Sequence, residues 1–160
     1  MGFKLKAGVV FGAIVVAFML LNGFAGLYRN PSLAWIFPVG AIAITVGVLI
    51  WALRHTAREG KRYGGQILTA LVVCAVAGVI IIAGSLLYTT VLFTDYDEIA
   101  MASTLEQWEN QEMTPEQIET AKPMVEFMIS PVPQAVMGFV MTLITGLVSA
   151  LIIAAFVRQK

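Results

Sequence analysis

YGGQILTALVVCAVAGVIIIAGSLLYTTVLFT, residues 63–94, is a stretch of 32 residues that contains no Asp, Glu, Lys, Arg or His. Three further uncharged runs cover residues 7–28, 30–53 and 127–157. Each run reaches the roughly 20 residues with which an α-helix crosses about 30 Å of hydrocarbon. Backbone N–H and C=O groups in lipid must pair within their own segment, and these runs lack the alternation of barrel strands. The sequence therefore predicts an all-α, polytopic membrane protein with four transmembrane helices.

The composition of the whole chain is also that of a membrane protein. Apolar residues make up 59% of the chain and charged residues 12%, compared with about 45–50% and about 25% in soluble domains. The ten basic and ten acidic residues cancel, so no binding to nucleic acid is predicted. Cys74 is the only cysteine, which excludes an intrachain disulfide and a CxxC pair. We predict a single four-helix membrane domain over residues 1–160, with the lipid bilayer as its surroundings.

Local signals narrow the four spans to about residues 7–28, 37–54, 66–94 and 133–157. The first run is longer than the roughly 7–15 apolar residues of a signal-peptide core, so it is predicted to be a span. The second is shortened by Pro38, because proline breaks a helix interior. The third would be about 48 Å long at about 1.5 Å per residue. It is expected to tilt, or to continue as helix beyond the hydrocarbon.

The distribution of basic residues predicts the orientation of the spans. Lys and Arg are enriched in the short cytoplasmic loops of membrane proteins. Only Arg29 and Lys122 lie on one side of the predicted membrane. The other side carries Lys4, Lys6, Arg54, Arg58, Lys61, Arg62, Arg158 and Lys160. Both termini and the loop of residues 54–62 are therefore predicted to be cytoplasmic, and residues 95–130 to lie outside.

The external segment, residues 95–130, has the pattern of an acidic helical hairpin. Lys122 is its only basic residue among nine acidic ones. Thr114 as N-cap, Pro115 at the first helical position and Gln117 at the third are typical of a helix start, so the turn is predicted at residues 111–113. Apolar residues recur at helical spacing on both sides of that turn: Ile99, Ala102, Leu105 and Trp108 before it, and Ile118, Ala121, Val125 and Met128 after it.

Three short motifs resemble those of a known family. They are Thr94-Asp95-Tyr96-Asp97, the hexapeptide at residues 113–118 and Met128-Ile129-Ser130-Pro131. With the four-span arrangement, they resemble an uncharacterised Bacteroidota-type family of membrane proteins classified as a domain of unknown function. Members carry a proline where this chain has Tyr96, so the start of the hairpin is expected to differ. The resemblance implies a bacterial inner-membrane location with a periplasmic hairpin, and it implies no activity and no site residues.

The spans lack the residues that membrane chemistry requires. Proton relays and ion pathways use ionisable side chains within the membrane, and the four runs contain none. Their polar residues are Asn22, Thr45, Thr69, Cys74, Ser85, Thr89, Thr90, Thr142, Thr145 and Ser149. Hydroxyls in membrane helices usually bond their own backbone or a neighbouring helix, and Asn22 is expected to bond a neighbouring helix.

No catalytic, cofactor-binding or metal-binding residue is predicted. Nucleotide loops, HExxH and GxSxG do not occur in the sequence. Asp95, Asp97 and Glu98 lack the spacing and glycine of a calcium loop. His55, just after the second span, suits a helix end near anionic lipid, and Cys74 suits a core position. The chain is therefore predicted not to be an enzyme.

Small residues form a stripe along the last span: Gly138, Thr142, Gly146, Ala150 and Ala154. Small residues let membrane helices approach closely. Gly8 and Gly12 form a similar pair in the first span, and Ala70, Cys74 and Gly78 in the third. Two alternatives fit the stripe of the last span: packing inside the four-helix bundle, or contact with another membrane subunit or a second copy.

Two functional hypotheses follow from these features. The first is a non-catalytic interaction protein, an accessory subunit that packs on a larger inner-membrane complex. The alternative is a small oligomeric carrier or channel for a neutral or lipid-like solute, with Asn22 and the hydroxyls along its path.

Overall fold

The computed structural model describes residues 2–157, and its secondary structure there is helical without strands. Four of the helices are long and apolar enough to cross a membrane, which confirms the predicted all-α architecture. Arg158 and Lys160, used above to predict the orientation, lie outside the described residues. The helices are α1 (Phe3–Phe24), α2 (Ile36–Arg58), α3 (Tyr63–Leu87), α4 (Tyr96–Asn110), α5 (Pro115–Ile129) and α6 (Pro131–Phe156).

Two spans are longer at their charged ends than the uncharged runs suggested. α1 begins at Phe3 and so includes Lys4 and Lys6, and α2 continues to Arg58. Long basic side chains can keep their charges in water while their stems cover apolar surface, so a helix need not end where the charges begin. Pro38 is the third residue of α2, where its missing N–H would have no helical partner.

α3 is the central helix, packed between α1 and α6. A Cβ added to Gly8 would lie 2.6 Å from the Cβ of Val76, and one added to Gly12 would lie 2.8 Å from the Cβ of Ile80. On the other side, a Cβ on Gly146 would overlap the Sγ of Cys74. The glycines therefore allow α1 and α6 to approach α3 more closely than any other residue would.

The buried apolar core lies at one end of the bundle. It contains Ala7 and Phe11 from α1, Leu49 and Leu53 from α2, Val73 from α3, and further residues of α3 and α6. Because the four spans alternate in direction, the start of α1, the end of α2, the start of α3 and the end of α6 meet there. We call this the terminal end, and the opposite end, where α4 and α5 are attached, the hairpin end.

α4 and α5 form the predicted hairpin. The Thr114 Oγ1 accepts a hydrogen bond from the Gln117 N–H (3.4 Å), and the Gln117 Oε1 accepts one from the Thr114 N–H (2.9 Å). This reciprocal pair confirms the predicted helix start. In the turn, Glu112 has a left-handed backbone with φ of 55°. Ser130 alone separates α5 from α6 and is extended, as expected for a residue that precedes proline.

Six of the eight apolar residues predicted at helical spacing in the hairpin are partly buried: Ile99, Leu105, Trp108, Ile118, Ala121 and Val125. Met101, Ala102, Leu105 and Ile129 line a groove between α4 and α5. Ala102 and Met128 are exposed, Met128 by 40%.

Candidate functional site

A cavity of about 450 Å³ lies at the hairpin end of the bundle. Of the residues that line the cavity, those farthest from the hairpin along each span are Met19 of α1, Ile81 of α3 and Gly138 of α6. One wall consists of residues between Leu27 and Pro38, which lie in the segment that joins α1 to α2 and in the first turn of α2, and another is the start of α4. A Cβ added to Gly138 would meet no atom within 4 Å. The bundle is thus closed by its core at the terminal end and hollow at the hairpin end.

A π-helical turn shapes the cavity wall that α3 contributes. The turn covers Tyr88–Leu92, and the Phe93 N–H donates to the Tyr88 carbonyl at 2.8 Å. A π turn adds a residue to the helical repeat. As a result the neighbouring Tyr88 and Thr89 are both buried, and both line the cavity.

Four aromatic rings pack beside the cavity. The ring centroids of Tyr88 and Phe93 are 4.4 Å apart, those of Tyr28 and Phe93 5.4 Å, and those of Tyr88 and Tyr96 5.7 Å. Gly23 makes room for them, since a Cβ there would lie 2.5 Å from the Phe93 ring. Tyr28, Tyr88 and Tyr96 pack on one another at the hairpin end of the bundle.

An ion pair joins the segment between α1 and α2 to the start of α4. The Arg29 Nη2 lies 2.8 Å from the Asp95 Oδ2. The Tyr28 hydroxyl donates to the Asp95 Oδ1 and accepts from the Arg29 Nε, both at 3.0 Å. The hydrogen bond to Tyr28 and the charge of Asp95 raise the pKa of Arg29. Both partners are exposed, so the pair positions the rim of the cavity more than it stabilises the fold.

The polar groups of the cavity are uncharged. No Asp, Glu, Lys, Arg or His occurs among the described residues that line it. Partial burial raises the pKa of Tyr96, although its hydrogen bond with Gln134 acts in the opposite direction, so the phenol is neutral near pH 7. The Oε1 of Gln134 is buried and has no hydrogen-bond partner. Within residues 2–157, the hydroxyls of Ser85 and Ser103 form no side-chain hydrogen bond.

The polar side chains singled out from the sequence mostly bond their own helices. Thr45, Thr69 and Thr142 donate to the carbonyl four residues earlier, at 2.7–2.8 Å, which confirms the prediction for these three hydroxyls. Asn22 was expected to bond a neighbouring helix, and this was wrong. Its Nδ2 donates to the Phe18 carbonyl of α1, one turn earlier, at 2.8 Å, a local bond that polar side chains in helices often form.

The small-residue stripe of α6 lies in two different surroundings. Gly146, Ala150 and Ala154 are buried inside the bundle, which corresponds to the internal-packing alternative. Thr142 is half-buried, and Gly138 lines the cavity. In this fold the buried part of the stripe packs inside the bundle, with Gly146 against Cys74 of α3.

The remaining sequence candidates lie apart from the cavity or are already engaged. The His55 ring stacks on Phe3 with centroids 3.7 Å apart, and its Nε2 is 3.4 Å from the Glu59 Oε1. Cys74 is buried against Gly146. Asp95 forms an ion pair with Arg29. Over the described part of the chain, no group of three His, Cys, Asp or Glu side chains could hold a metal ion.

Sequence reasoning missed the cavity and the residues that surround it. Two signals were available. Gln134 is an uncharged polar residue just inside the start of an apolar span, and Arg29 is one of only two basic residues on its side, next to an acidic segment. Neither signal could place the residues in space, because Arg29 and Asp95 are 66 positions apart.

The chain belongs to the family described as "Protein of unknown function (DUF4199)", whose family model matches residues 6–159. This confirms the resemblance to an uncharacterised domain family over essentially the whole chain. No curated protein and no solved structure matches the chain. The function must therefore be argued from the geometry of the cavity.

Proposed function

We propose that this member of the family is a non-catalytic integral membrane protein that binds a neutral, lipid-like solute in the cavity at the hairpin end. The observation that carries the proposal is the cavity itself. Its volume of about 450 Å³ lies within the roughly 300–1,000 Å³ that is usual for small-molecule sites. Such sites are mostly apolar with a few polar groups that orient the ligand. The lining described above has this character.

The distribution of the lining residues supports an amphipathic ligand. Met19 and Ile81 supply the apolar part, deepest in the spans. Ser103 and Tyr96 belong to α4, outside the spans, and Gln134 lies in the first turn of α6. A molecule with its tail among the spans and its head near the hairpin would match both parts.

We further propose the orientation and location of the protein. Among the described residues, the basic side chains near the terminal end are Lys4, Lys6, Arg54, Arg58, Lys61 and Arg62, whereas the hairpin end has Arg29 and Lys122. This bias supports cytoplasmic termini and a periplasmic hairpin in a bacterial inner membrane. The cavity would then lie at the periplasmic leaflet.

A pair of glycine-to-leucine variants tests the binding proposal. Gly138→Leu should fill the cavity, because a Cβ there points into open space. Gly47→Leu is the matched control, since Gly47 is exposed in α2, also has open space around it and does not line the cavity. The measurement is mass spectrometry of the lipids that co-purify in a gentle detergent. Wild type and Gly47→Leu should retain a neutral species that Gly138→Leu loses, and identical lipid contents in all three proteins would refute the proposal.

A second candidate is the accessory-subunit function. One observation favours it: the outer face of α2 leaves Ala43 and Gly47 exposed in the middle of the span, so another transmembrane helix could approach the backbone there. Gentle-detergent purification followed by mass analysis separates the two candidates. A stoichiometric partner of different sequence supports the accessory role, whereas a monomer or homo-oligomer with bound solute supports the first proposal.

A further inference from the structure

We propose that the second half of α5 lies in the membrane boundary at the hairpin end, with an apolar face in contact with lipid. The fold leaves this face uncovered. Within residues 95–130, all of which the structure describes, the exposed large apolar side chains are Met124, Phe127 and Met128, at 68%, 67% and 40% of their surface. They stand at positions i, i+3 and i+4, so they share one side of the helix, and contiguous exposed apolar surface usually marks a contact. We call these three residues the exposed face of α5.

The charged residues of α5 lie away from the exposed face. At 3.6 residues per turn, Glu119 and Glu126 are about 140° around the helix from the centre of the face. Lys122 is on the same side as these acids, with its Nζ 3.8 Å from the Glu126 Oε1. Glu116 belongs to the first turn, about 12 Å along the axis from Met124. The second half of α5 can therefore enter an apolar region on one side while its charges stay in water.

The exposed face continues into the lipid-facing surface of α6. Ser130 alone separates the two helices. Beyond it, Val132 and Val136 are exposed four residues apart, on a helix that is long and apolar enough to cross a membrane. Phe127 already belongs to the uncharged run of residues 127–157. The lipid that covers the two valines is therefore the nearest partner for the exposed face.

The length of α6 places the junction of the two helices at the membrane boundary. Its 26 residues are about 39 Å long. This is longer than the hydrocarbon core of about 30 Å but shorter than a bilayer with its headgroup regions, which measures about 40–45 Å. Pro131 begins α6, and Phe127 is one turn earlier, so both lie where the acyl chains meet the headgroups. Amphipathic helices at this boundary bury their apolar side by about 5–10 Å.

The side chains of the exposed face suit lipid better than another helix. Close helix contacts in membranes depend on small residues, whereas this face consists of two methionines and a phenylalanine. Methionine is flexible and adapts to irregular surroundings, and phenylalanine is one of the residues that interfacial helices insert. The contact is independent of ligand binding in the cavity.

Nitroxide spin labels test the contact in the full-length protein, reconstituted in phosphatidylcholine vesicles. In a Cys74→Ala background, one label is attached through a cysteine at Met124, or at Glu119 on the charged side of the same helix. Collisions with O₂, which partitions into lipid, are compared with collisions with a water-soluble nickel chelate. The O₂-to-nickel ratio at Met124 should exceed that at Glu119 several-fold and lie below that at Val140, an exposed position deeper in α6.

A substitution in the exposed face assigns the contact to its side chains. Phe127→Asn should lower the ratio at Met124 toward that at Glu119, because a primary amide favours water over the acyl chains. Thr120→Asn is the matched control, since Thr120 is exposed on α5 one turn before Met124, and it should leave the ratio unchanged. An unchanged ratio at Val140 in both variants shows that the span is intact.

Three outcomes would overturn the proposal. Equal ratios at Met124 and Glu119 would place the exposed face in water. Weak collisions with both reagents at Met124, with spin–spin broadening that disappears on dilution with unlabelled protein, would show that a second copy covers the face. A ratio at Met124 that Phe127→Asn leaves unchanged would show that the face does not make the contact.

Discussion

At the scale of single residues, glycine positions decide how closely the spans pack. Gly8 and Gly12 face α3 from one side and Gly146 from the other, and each would clash with α3 if it carried a Cβ. By contrast, the sites of Gly47 and Gly138 are open. Glycine therefore permits close helix packing at three positions, lines the cavity at Gly138 and is exposed at Gly47.

This difference predicts the effect of a larger side chain at Gly146. Gly146→Leu should destabilise the protein by roughly 2 kcal/mol or more, because overfilling a packed interior forces side chains and backbone to shift. Its new side chain would overlap Cys74 of α3. The measurement is the Tm of the detergent-solubilised protein, together with its expression level.

Val148→Leu is the matched control for that experiment. Val148 is two residues further along the same helix and 52% exposed, so the substitution should leave Tm nearly unchanged. If both variants match the wild type in Tm and expression, Gly146 does not mark a close helix contact.

At the scale of secondary-structure elements, the hairpin depends on local signals more than on burial. No described residue of α4 or α5 is buried, so neither helix gains much from a hydrophobic core. The reciprocal hydrogen bonds of Thr114 and Gln117 compensate for part of this. An isolated helix of 15 residues is otherwise marginal in water.

Thr114→Ala should therefore loosen the first turn of α5. Loss of an N-cap hydroxyl costs about 1 kcal/mol, so hydrogen exchange of the amides at residues 116–118 should accelerate about fivefold. Hydrogen–deuterium exchange with mass spectrometry measures this, and peptides from α3 serve as the internal reference. Exchange across residues 105–118 that is already as fast in the wild type as in a disordered peptide would contradict the helical hairpin itself.

At the scale of the whole molecule, the charge bias makes a prediction about topology. In a background where Cys74 is replaced by alanine, single cysteines at Lys4 and Arg58 should be labelled only from the cytoplasmic side. A cysteine at Glu112 should be labelled from the outside, because Glu112 lies in the turn of the hairpin. Membrane-impermeant maleimide applied to intact cells and to inverted vesicles makes the measurement. Labelling of position 112 in inverted vesicles alone would reverse the proposed topology.

The amino-acid sequence by itself determined the four apolar helices, the acidic hairpin and its turn just before Thr114. These features depend on local causes: a bilayer requires about 20 apolar residues with internal backbone pairing, and a capping box involves residues only three positions apart. The hydroxyls of Thr45, Thr69 and Thr142 were predictable for the same reason, since their acceptors lie one turn away.

Only the tertiary structure decided which helix faces meet, and with that the candidate site. The sequence left open whether the stripe at Gly146 faces the bundle or another subunit, because small residues allow close packing against any helix. The cavity lies where the spans leave space beside Gly138, at the end of the bundle away from the buried core. A cavity is a property of the space between elements distant in sequence, so no local pattern encodes it.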